Sequence, residues 1–186
     1  MGFNLKLFPF VSEDPSMGDR GLFLGVGASN FVGSSFSQAS NKFIPGITLG
    51  FCQEFRFKSN FHLQTGLMFS SKGSRLDAVG DLYLHQFITY LELPVRAAWT
   101  FLQKEKAQIF LSAGTYLGLK ILAFNEVGFP EEIKGFDVGL DLGAGVKFQK
   151  LSFRLEVKQG FLNLDQSNTG LTYRNQSLFM VMGMLF

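Results

Sequence analysis

Charged side chains recur at every second position along several segments of the chain. Acidic and basic groups are nearly balanced among them, so they could form either a proton or ion path or a set of paired charges. Because charges confined in a protein interior must pair or stay hydrated, we favour a structural network of ion pairs. The charged positions that share one side of their segments are Glu54, Arg56, Glu92, Arg96, Lys120, Asp137, Asp141, Lys147, Arg154, Glu156 and Lys158.

Nucleophilic catalysis would need a serine activated by a histidine, with a carboxylate or amide that orients the histidine. The chain has two histidines, His62 and His85. His85 shares its parity with Phe87 on the apolar side of its segment, and His62 lies at the start of a different segment. Serines and carboxylates near His85 in sequence are Ser70, Ser71, Ser74, Asp77 and Asp81. We therefore predict no catalytic residues and keep an enzyme as an alternative.

Cofactor and nucleic-acid chemistry find little support in the composition. Cys52 is the only cysteine, which leaves no internal disulfide and no thiolate metal cluster. The net charge is +2, and the basic residues are scattered without a patch that could neutralise phosphates. We predict no cofactor, no metal and no nucleic-acid partner.

The elements that carry the charges alternate with a period of two. Successive side chains of a β-strand point to opposite faces, so such a segment has one apolar face and one small or polar face. In residues 107–121 the apolar face comprises Ala107, Ile109, Leu111, Ala113, Thr115, Leu117, Leu119 and Ile121. The other face comprises Gln108, Phe110, Ser112, Gly114, Tyr116, Gly118 and Lys120.

The composition places this pattern in a membrane. Hydrophobic residues make up 46% of the 186 residues and charged residues 17%, against about 25% charged in an ordinary soluble domain. The chain has 23 Phe and 21 Gly, which suit lipid-facing positions and crowded barrel interiors. No run of about 20 apolar residues is present. We predict an all-β fold, a small antiparallel transmembrane β-barrel.

The connections between alternating segments predict an up-and-down topology of about eight strands. Short connections fall near 58–60, 102–106 and 149–150, and longer ones near 34–41, 72–81, 122–134 and 162–175. Outer-membrane barrels have short periplasmic turns and long outer loops, so both termini are expected in the periplasm. Residues 1–19 are expected to be a periplasmic segment or tail, and 20–186 the barrel. The predicted strands are 20–33, 42–57, 61–71, 82–101, 107–121, 135–148, 151–161 and 176–186.

The tight turn at 149–150 predicts a strand register. If Phe148 faces Leu151 across it, Asp141 lies opposite Lys158, and opposite charges on one face of a sheet attract. We therefore expect Asp141 and Lys158 to approach each other inside the barrel. A barrel of about eight strands is filled by its side chains, which disfavours an open pore.

Pro94 interrupts an otherwise regular strand pattern. Proline cannot donate to the ladder and is confined to edges or bulges. We predict a β-bulge within residues 92–96.

The segment Tyr90-Leu91-Glu92-Leu93-Pro94-Val95-Arg96 is similar to the Tyr-Leu-Glu-Ile-Pro stretch of the PorT-like outer-membrane β-barrel family common in Bacteroidota. The resemblance implies an eight-stranded barrel in the bacterial outer membrane whose final aromatic, Phe186, is an assembly signal. It implies no single activity and carries over no catalytic residue, because the family includes a component linked to type IX secretion and many members of unassigned role. Supporting segments are Phe43–Gly46, Leu63–Leu67, Ser71–Gly73, Ala113–Gly118 and Gly139–Phe148.

Our leading hypothesis is a non-enzymatic accessory or structural subunit of a larger outer-membrane complex, in protein secretion, barrel assembly or nutrient uptake. Its partners would be outer-membrane lipids and other outer-membrane or periplasmic subunits. The alternatives are a lipid-modifying enzyme and a soluble lipocalin-like barrel whose apolar face surrounds a ligand. Residues in or near the outer loops that could either contact a partner or simply pack at the rim are Phe31, Phe36, Phe129, Pro130, Glu131 and Glu132.

Overall fold

A computed structural model describes residues 16–33, 40–58, 60–77, 83–125, 134–164 and 172–186. Among these residues, no helix has the length and hydropathy needed to span a membrane. The described strands are β1 (Ser16–Val32), β2 (Ser40–Lys42), β3 (Ile44–Lys58), β4 (Phe61–Asp77), β5 (Tyr83–Gln103), β6 (Ala107–Asn125), β7 (Phe136–Phe148), β8 (Leu151–Gly160) and β9 (Arg174–Leu185).

The strands form one closed antiparallel sheet in the order β2-β4-β3-β1-β9-β8-β7-β6-β5, and pairing between β4 and β5 closes it. β2 and β3 are successive parts of one barrel strand, because both pair with β4. Lys42 of β2 pairs with Arg75, and Ile47 of β3 pairs with Ser71. The barrel therefore has eight strands in up-and-down order, which confirms the predicted fold class.

Strand boundaries differ from the prediction mainly at the end with the long connections, which we call the long-loop end. β4 reaches Asp77 instead of residue 71, and β6 reaches Asn125 instead of residue 121. Residues 121–124 are exposed on both faces, so their sequence lacks the alternation by which the strands were located. At the other terminus β1 begins at Ser16, so residues 16–19 of the expected tail belong to the barrel. Residues 1–15 lie outside the described residues.

The apolar faces point outward and the polar faces point inward. In β8, Leu151, Phe153, Leu155 and Val157 are exposed, whereas the residues between them are buried. The same division holds in β9, where every second residue from Leu178 to Met184 is exposed. An exterior of this kind suits lipid, because apolar surface is transferred out of water. The lipocalin-like alternative, with its apolar face inside, is therefore wrong.

Exposed aromatic residues gather near both ends of the apolar band. Girdles of this kind mark the two membrane interfaces of a transmembrane barrel. Near the short turns at 59–60, 104–106 and 149–150, which define the short-turn end, the exposed aromatics are Phe61, Trp99, Phe101, Phe148 and Phe153. Near the long-loop end they are Phe43, Phe124, Phe136 and Phe161.

The inside of the barrel also holds two apolar clusters. The first packs against the β1–β3–β4–β9 wall and contains Phe23, Cys52, Met68, Phe179, Val181 and Leu185. The second lies toward the long-loop end and contains Phe31, Ile88, Tyr90 and Leu164. Phe31 is only 2% exposed, so of its two interpretations, an outer contact and packing at the rim, the structure supports packing. Phe36 and residues 129–132 lie outside the described residues.

The predicted register at the tight turn is confirmed. Phe148 pairs with Leu151 and Asp141 pairs with Lys158. Gln149 has a φ of 52°, a left-handed backbone that lets the chain reverse within two residues.

The irregularity expected at Pro94 lies a little earlier in β5. The β5–β6 register shifts between Thr89 and Tyr90, where β6 contributes the extra residue Ile121. On the other side of β5, the ladder with β4 runs from Thr65↔Val95 directly to Met68↔Glu92. Pro94 thus lies where the pairing of β5 with β4 is interrupted. The bulge predicted within residues 92–96 is wrong in position, because the register shift lies at Thr89–Tyr90.

Candidate functional site

The charged side chains of five strands meet in the lumen. Their strands present them inward because the side-chain period is two. Of the charges predicted to face inward, Arg56 is the clearest exception, with a side chain 43% exposed at the short-turn end, and Lys120 is only partly buried. The buried members of the set are Glu54, Glu92, Arg96, Asp137, Asp141, Lys147, Arg154, Glu156 and Lys158.

The layer nearest the short-turn end is centred on Lys147. Its ammonium donates to Glu54 Oε2 at 2.7 Å and to Asp19 Oδ2 at 3.1 Å. Arg56 Nη2 donates to the other oxygen of Asp19 at 2.9 Å. These contacts join β1, β3 and β7 across the mouth of the barrel.

Glu54 also belongs to a hydroxyl–imidazole–carboxylate arrangement. His62 Nε2 lies 3.1 Å from Thr100 Oγ1, and His62 Nδ1 lies 3.4 Å from Glu54 Oε1. The serines near His85 do not belong to this group, and the sequence did not indicate it because Thr100 is 38 residues from His62. All three side chains are buried. The arrangement resembles a nucleophile with its base and orienting acid, but it faces the filled lumen.

Two arginines and two carboxylates form the middle layer. Arg96 Nε donates to Asp141 Oδ2 at 2.8 Å, and its Nη1 lies 3.1 Å from Glu156 Oε1. Arg154 Nη2 lies 2.5 Å from Glu156 Oε1. Arg154 Nη1 also donates to Gln64 Oε1 at 3.2 Å. The Arg96–Asp141 contact is a charge-assisted hydrogen bond, the strong class, whereas the two contacts with Glu156 are ion pairs.

Glu92 is held between two lysines in the next layer. Lys158 Nζ donates to Glu92 Oε2 at 2.6 Å, and Lys72 Nζ pairs with Glu92 Oε1. Ser70 Oγ donates to the same carboxylate at 3.0 Å. Lys72 was assigned to a loop by the sequence analysis and was missed as an inward charge. Its ammonium also lies 4.3 Å from the ring centroid of Tyr116, a cation–π distance.

Asp137 closes the polar part of the lumen toward the long-loop end. Tyr116 Oη donates to Asp137 Oδ2 at 2.9 Å, and Asn175 Nδ2 donates to the same oxygen at 2.8 Å. Asn175 Nδ2 also lies 3.3 Å from Tyr90 Oη. Beyond this group, the second apolar cluster fills the barrel with Phe31 and Leu164.

The buried lumen charges balance. Among the residues that the structure describes, the five buried cations are Lys72, Arg96, Lys147, Arg154 and Lys158, and the five buried anions are Glu54, Glu92, Asp137, Asp141 and Glu156. A cavity of about 20 Å³ lies beside Glu54 and Arg154, room for about one water molecule. Among the described residues, no His, Cys, Asp or Glu grouping could hold a metal ion. The arrangement fits a structural plug of ion pairs better than a conducting path.

Phe186 ends the chain at the short-turn end. Its backbone N–H donates to the Arg20 carbonyl at 2.8 Å, and the Arg20 guanidinium lies 5.8 Å from its ring centroid. The side chain is 59% exposed, so it is available at the membrane interface.

Comparisons with known proteins agree with this architecture. A model of a family described as "Outer membrane protein beta-barrel domain" matches residues 14–166. No curated protein matches the chain. Solved structures with the same fold include the Neisserial surface protein NspA, with 11% identity, a TM-score of 0.53 and coverage of 91% of this chain and 99% of that one. For OprG from Pseudomonas aeruginosa the identity is 12% and the TM-score is 0.55, and the alignment covers 91% of this chain and 96% of that one.

The outer membrane enzyme PagL also has this fold. Its identity is 16% and its TM-score 0.52, with coverage of 90% of this chain and 99% of that one. At such identities the likeness concerns the fold alone.

Proposed function

The chain belongs to the outer membrane protein β-barrel domain family, and from this premise we propose that it is a non-enzymatic outer-membrane barrel acting as an accessory or structural subunit of a larger complex. The observation that carries the proposal is the filled lumen. In the described part of the chain, five cations and five anions are buried along it, and two apolar clusters pack beside them. With its interior closed, such a barrel acts mainly through its wall, its strand ends and its connections.

The long-loop end offers one such surface. Residues 121–124 of β6 extend beyond Leu119, the last β6 residue that pairs with β7. Leu122 is 48% exposed and Phe124 is 63% exposed. An exposed apolar strand end is a common site of contact with another polypeptide.

The setting follows from the resemblance to PorT-like barrels of Bacteroidota. Protein secretion, barrel assembly and nutrient uptake each use multi-subunit outer-membrane assemblies, and the proposal assigns the barrel to one of them. In the proposed orientation the short turns and both termini face the periplasm, as in outer-membrane barrels with short periplasmic turns. Residues 1–15 would then be placed to meet a periplasmic subunit.

The alternative is a lipid-modifying enzyme, and the Thr100–His62–Glu54 group is its best candidate site. The geometry argues against it, because the three side chains are between 3% and 6% exposed and Glu54 is already engaged by Lys147. A lipid substrate would have to enter the filled lumen. His85, the other candidate base, lies on the outward side of β5 with Phe87.

An affinity pull-down from gently solubilised native outer membranes tests the accessory role. A tagged full-length chain should co-purify with a stoichiometric set of envelope proteins, identified by mass spectrometry. A tagged barrel of similar size and unrelated sequence is the control for chance co-solubilisation. A chain without residues 1–15 tests whether this segment contributes to the contact. Recovery of the full-length barrel alone would overturn the proposal.

The enzyme alternative has its own test. The conservative variants His62→Gln and Thr100→Val should leave the lipid composition of the outer membrane unchanged by mass spectrometry. An altered acyl-chain pattern in both variants, with normal levels of folded barrel, would establish the enzyme in place of the accessory subunit.

A further inference from the structure

The outer wall of the barrel contains an open apolar groove of about 540 Å³ across β5–β8. We call it the wall groove. Alanines form much of its floor, because Ala97 pairs with Ala113 and Ala144 pairs with Leu111. Larger exposed side chains border it: Phe61, Trp99, Leu111, Leu142, Leu155 and Val157.

The wall groove begins at the membrane interface and runs toward the middle of the apolar band. Trp99 pairs with Phe61 on β4, and its ring centroid lies 6.0 Å from that of Phe101. These aromatics belong to the girdle at the short-turn end. Ala97 and Ala113 lie deeper along their strands. A groove of this direction matches an acyl chain that descends from a headgroup.

Three lysines lie directly beyond the girdle on the turns of the same strands. Lys104 and Lys106 are in the β5–β6 turn and Lys150 is in the β7–β8 turn, and all three are exposed. The two turns touch, since Gln149 N–H donates to the Lys106 carbonyl at 3.0 Å. None of the three ammonium groups pairs with a carboxylate among the residues that the structure describes.

The distance between these features suits one lipid molecule. Gln103 at the end of β5 is four positions beyond Trp99, which is about 13 Å of extended strand. A glycerol backbone and the first carbons of an acyl chain span a comparable length. Basic groups at the membrane surface attract anionic headgroups by about 1 kcal/mol each, which is about fivefold in affinity.

We propose that the β5–β8 wall binds an anionic phospholipid of the leaflet at the short-turn end, with an acyl chain in the wall groove and its phosphate at Lys104, Lys106 and Lys150. This lipid site requires that the barrel is inserted in a membrane, as the proposed function also does. It adds the class of lipid that the β5–β8 wall would select. The glutamate between the two β5–β6 lysines, Glu105, lowers the net charge of the turns but leaves them positive.

Charge favours this occupant over a second copy of the chain. Two copies in one membrane have the same orientation, so a symmetric contact at the wall groove would place the two sets of turn lysines side by side. Like charges in such a position repel. A phospholipid with a negative headgroup supplies the opposite charge and the apolar chain together.

Trp99 is the only tryptophan of the chain, so its fluorescence reports the wall groove directly. The full-length protein is reconstituted into phosphatidylcholine vesicles that contain a minor fraction of dibrominated phosphatidylglycerol or dibrominated phosphatidylcholine. Bromine quenches Trp99 on contact. We expect quenching to give an apparent affinity about fivefold or more higher for the anionic lipid, and this preference should decline at high salt.

Variants separate the two parts of the site. The triple variant Lys104→Gln, Lys106→Gln, Lys150→Gln should lose the preference, whereas Lys42→Gln at the long-loop end should keep it. Ala113→Leu fills the groove and should reduce quenching by both lipids, and Ala123→Leu, outside the groove, should not.

Equal quenching by the two lipids, or a preference that survives in the triple variant, would overturn the lipid site and leave the membrane barrel intact. Absence of quenching in protein that floats with the vesicles, with cross-linked dimers, would also overturn it and assign the groove to a second copy. Failure of the folded protein to insert into vesicles would instead refute the proposed function as well.

Discussion

Asp141 and Lys158 lie directly opposite each other on β7 and β8, yet both reach across the lumen to β5. Asp141 pairs with Arg96 at 2.8 Å, and Lys158 pairs with Glu92 at 2.6 Å. The pairs therefore tie strands that are not neighbours in the sheet. Removing one charge of a buried pair costs far more than a surface ion pair is worth, because its partner stays buried with less opposite charge around it.

Glu92→Gln should lower the free energy of unfolding by about 3–5 kcal/mol. The carboxylate is fully buried and pairs with both Lys72 and Lys158, so its neutralisation leaves two buried ammonium groups. Urea unfolding of the barrel in vesicles, followed by Trp99 fluorescence, measures the change. Glu105→Gln in an exposed turn is the matched control. A Glu92→Gln barrel as stable as the control would contradict the structural role of the network.

Gly145→Ala should destabilise the barrel by about 1–3 kcal/mol through overpacking. A Cβ at this position would lie 2.6 Å from Phe110 Cζ and 2.5 Å from the Phe153 carbonyl oxygen. Gly135→Ala is the control, because a Cβ there meets nothing within 4 Å. The same urea titration measures both variants. If the two alanine variants unfold at the same urea concentration, the packing between Gly145 and Phe110 is not tight.

Cys52 should resist thiol labelling in the folded barrel and react fully in urea. It is the only cysteine, is 5% exposed, and its Sγ lies 3.8 Å from Met68 Sδ. A maleimide reagent and mass spectrometry give the labelled fraction over time. The control is Gly135→Cys in a Cys52→Ser background, which should label at once. Rapid labelling of folded wild-type protein would indicate a lumen open to solvent.

Deletion of Phe186 should reduce the amount of folded barrel in the outer membrane while changing the stability of refolded protein little. The side chain is largely exposed and contacts Arg20, so it contributes little packing, whereas a terminal aromatic is the expected assembly signal. Heat-modifiable migration of membrane fractions measures folded protein in cells. Phe161→Ala, at another exposed aromatic, is the control. Normal assembly of the deletion variant would remove Phe186 as a signal.

The inward side of the strands and the alignment of β7 with β8 could both be predicted from the sequence. Both are local properties: parity follows from the two-residue repeat, and the Asp141–Lys158 register follows from the two-residue turn at Gln149. The number of strands could be predicted as well, because each strand shows its own two-residue repeat. The end of β6 at residues 122–124 was missed because both of its faces are exposed and no alternation remains.

The pairing of the charges, in contrast, depends on the assembled barrel. Closure of the sheet between β4 and β5 sets which inward side chains meet across the lumen. Glu92 and Lys158 are 66 residues apart, and no local pattern encodes their approach. Pairing of β4 with β5 brings Lys72 to Glu92 and Thr100 to His62. Pairing of β5 with β6 and of β6 with β7 gathers the alanines of the wall groove. Parity is fixed by the geometry of one strand, whereas partners depend on the relative position of all eight.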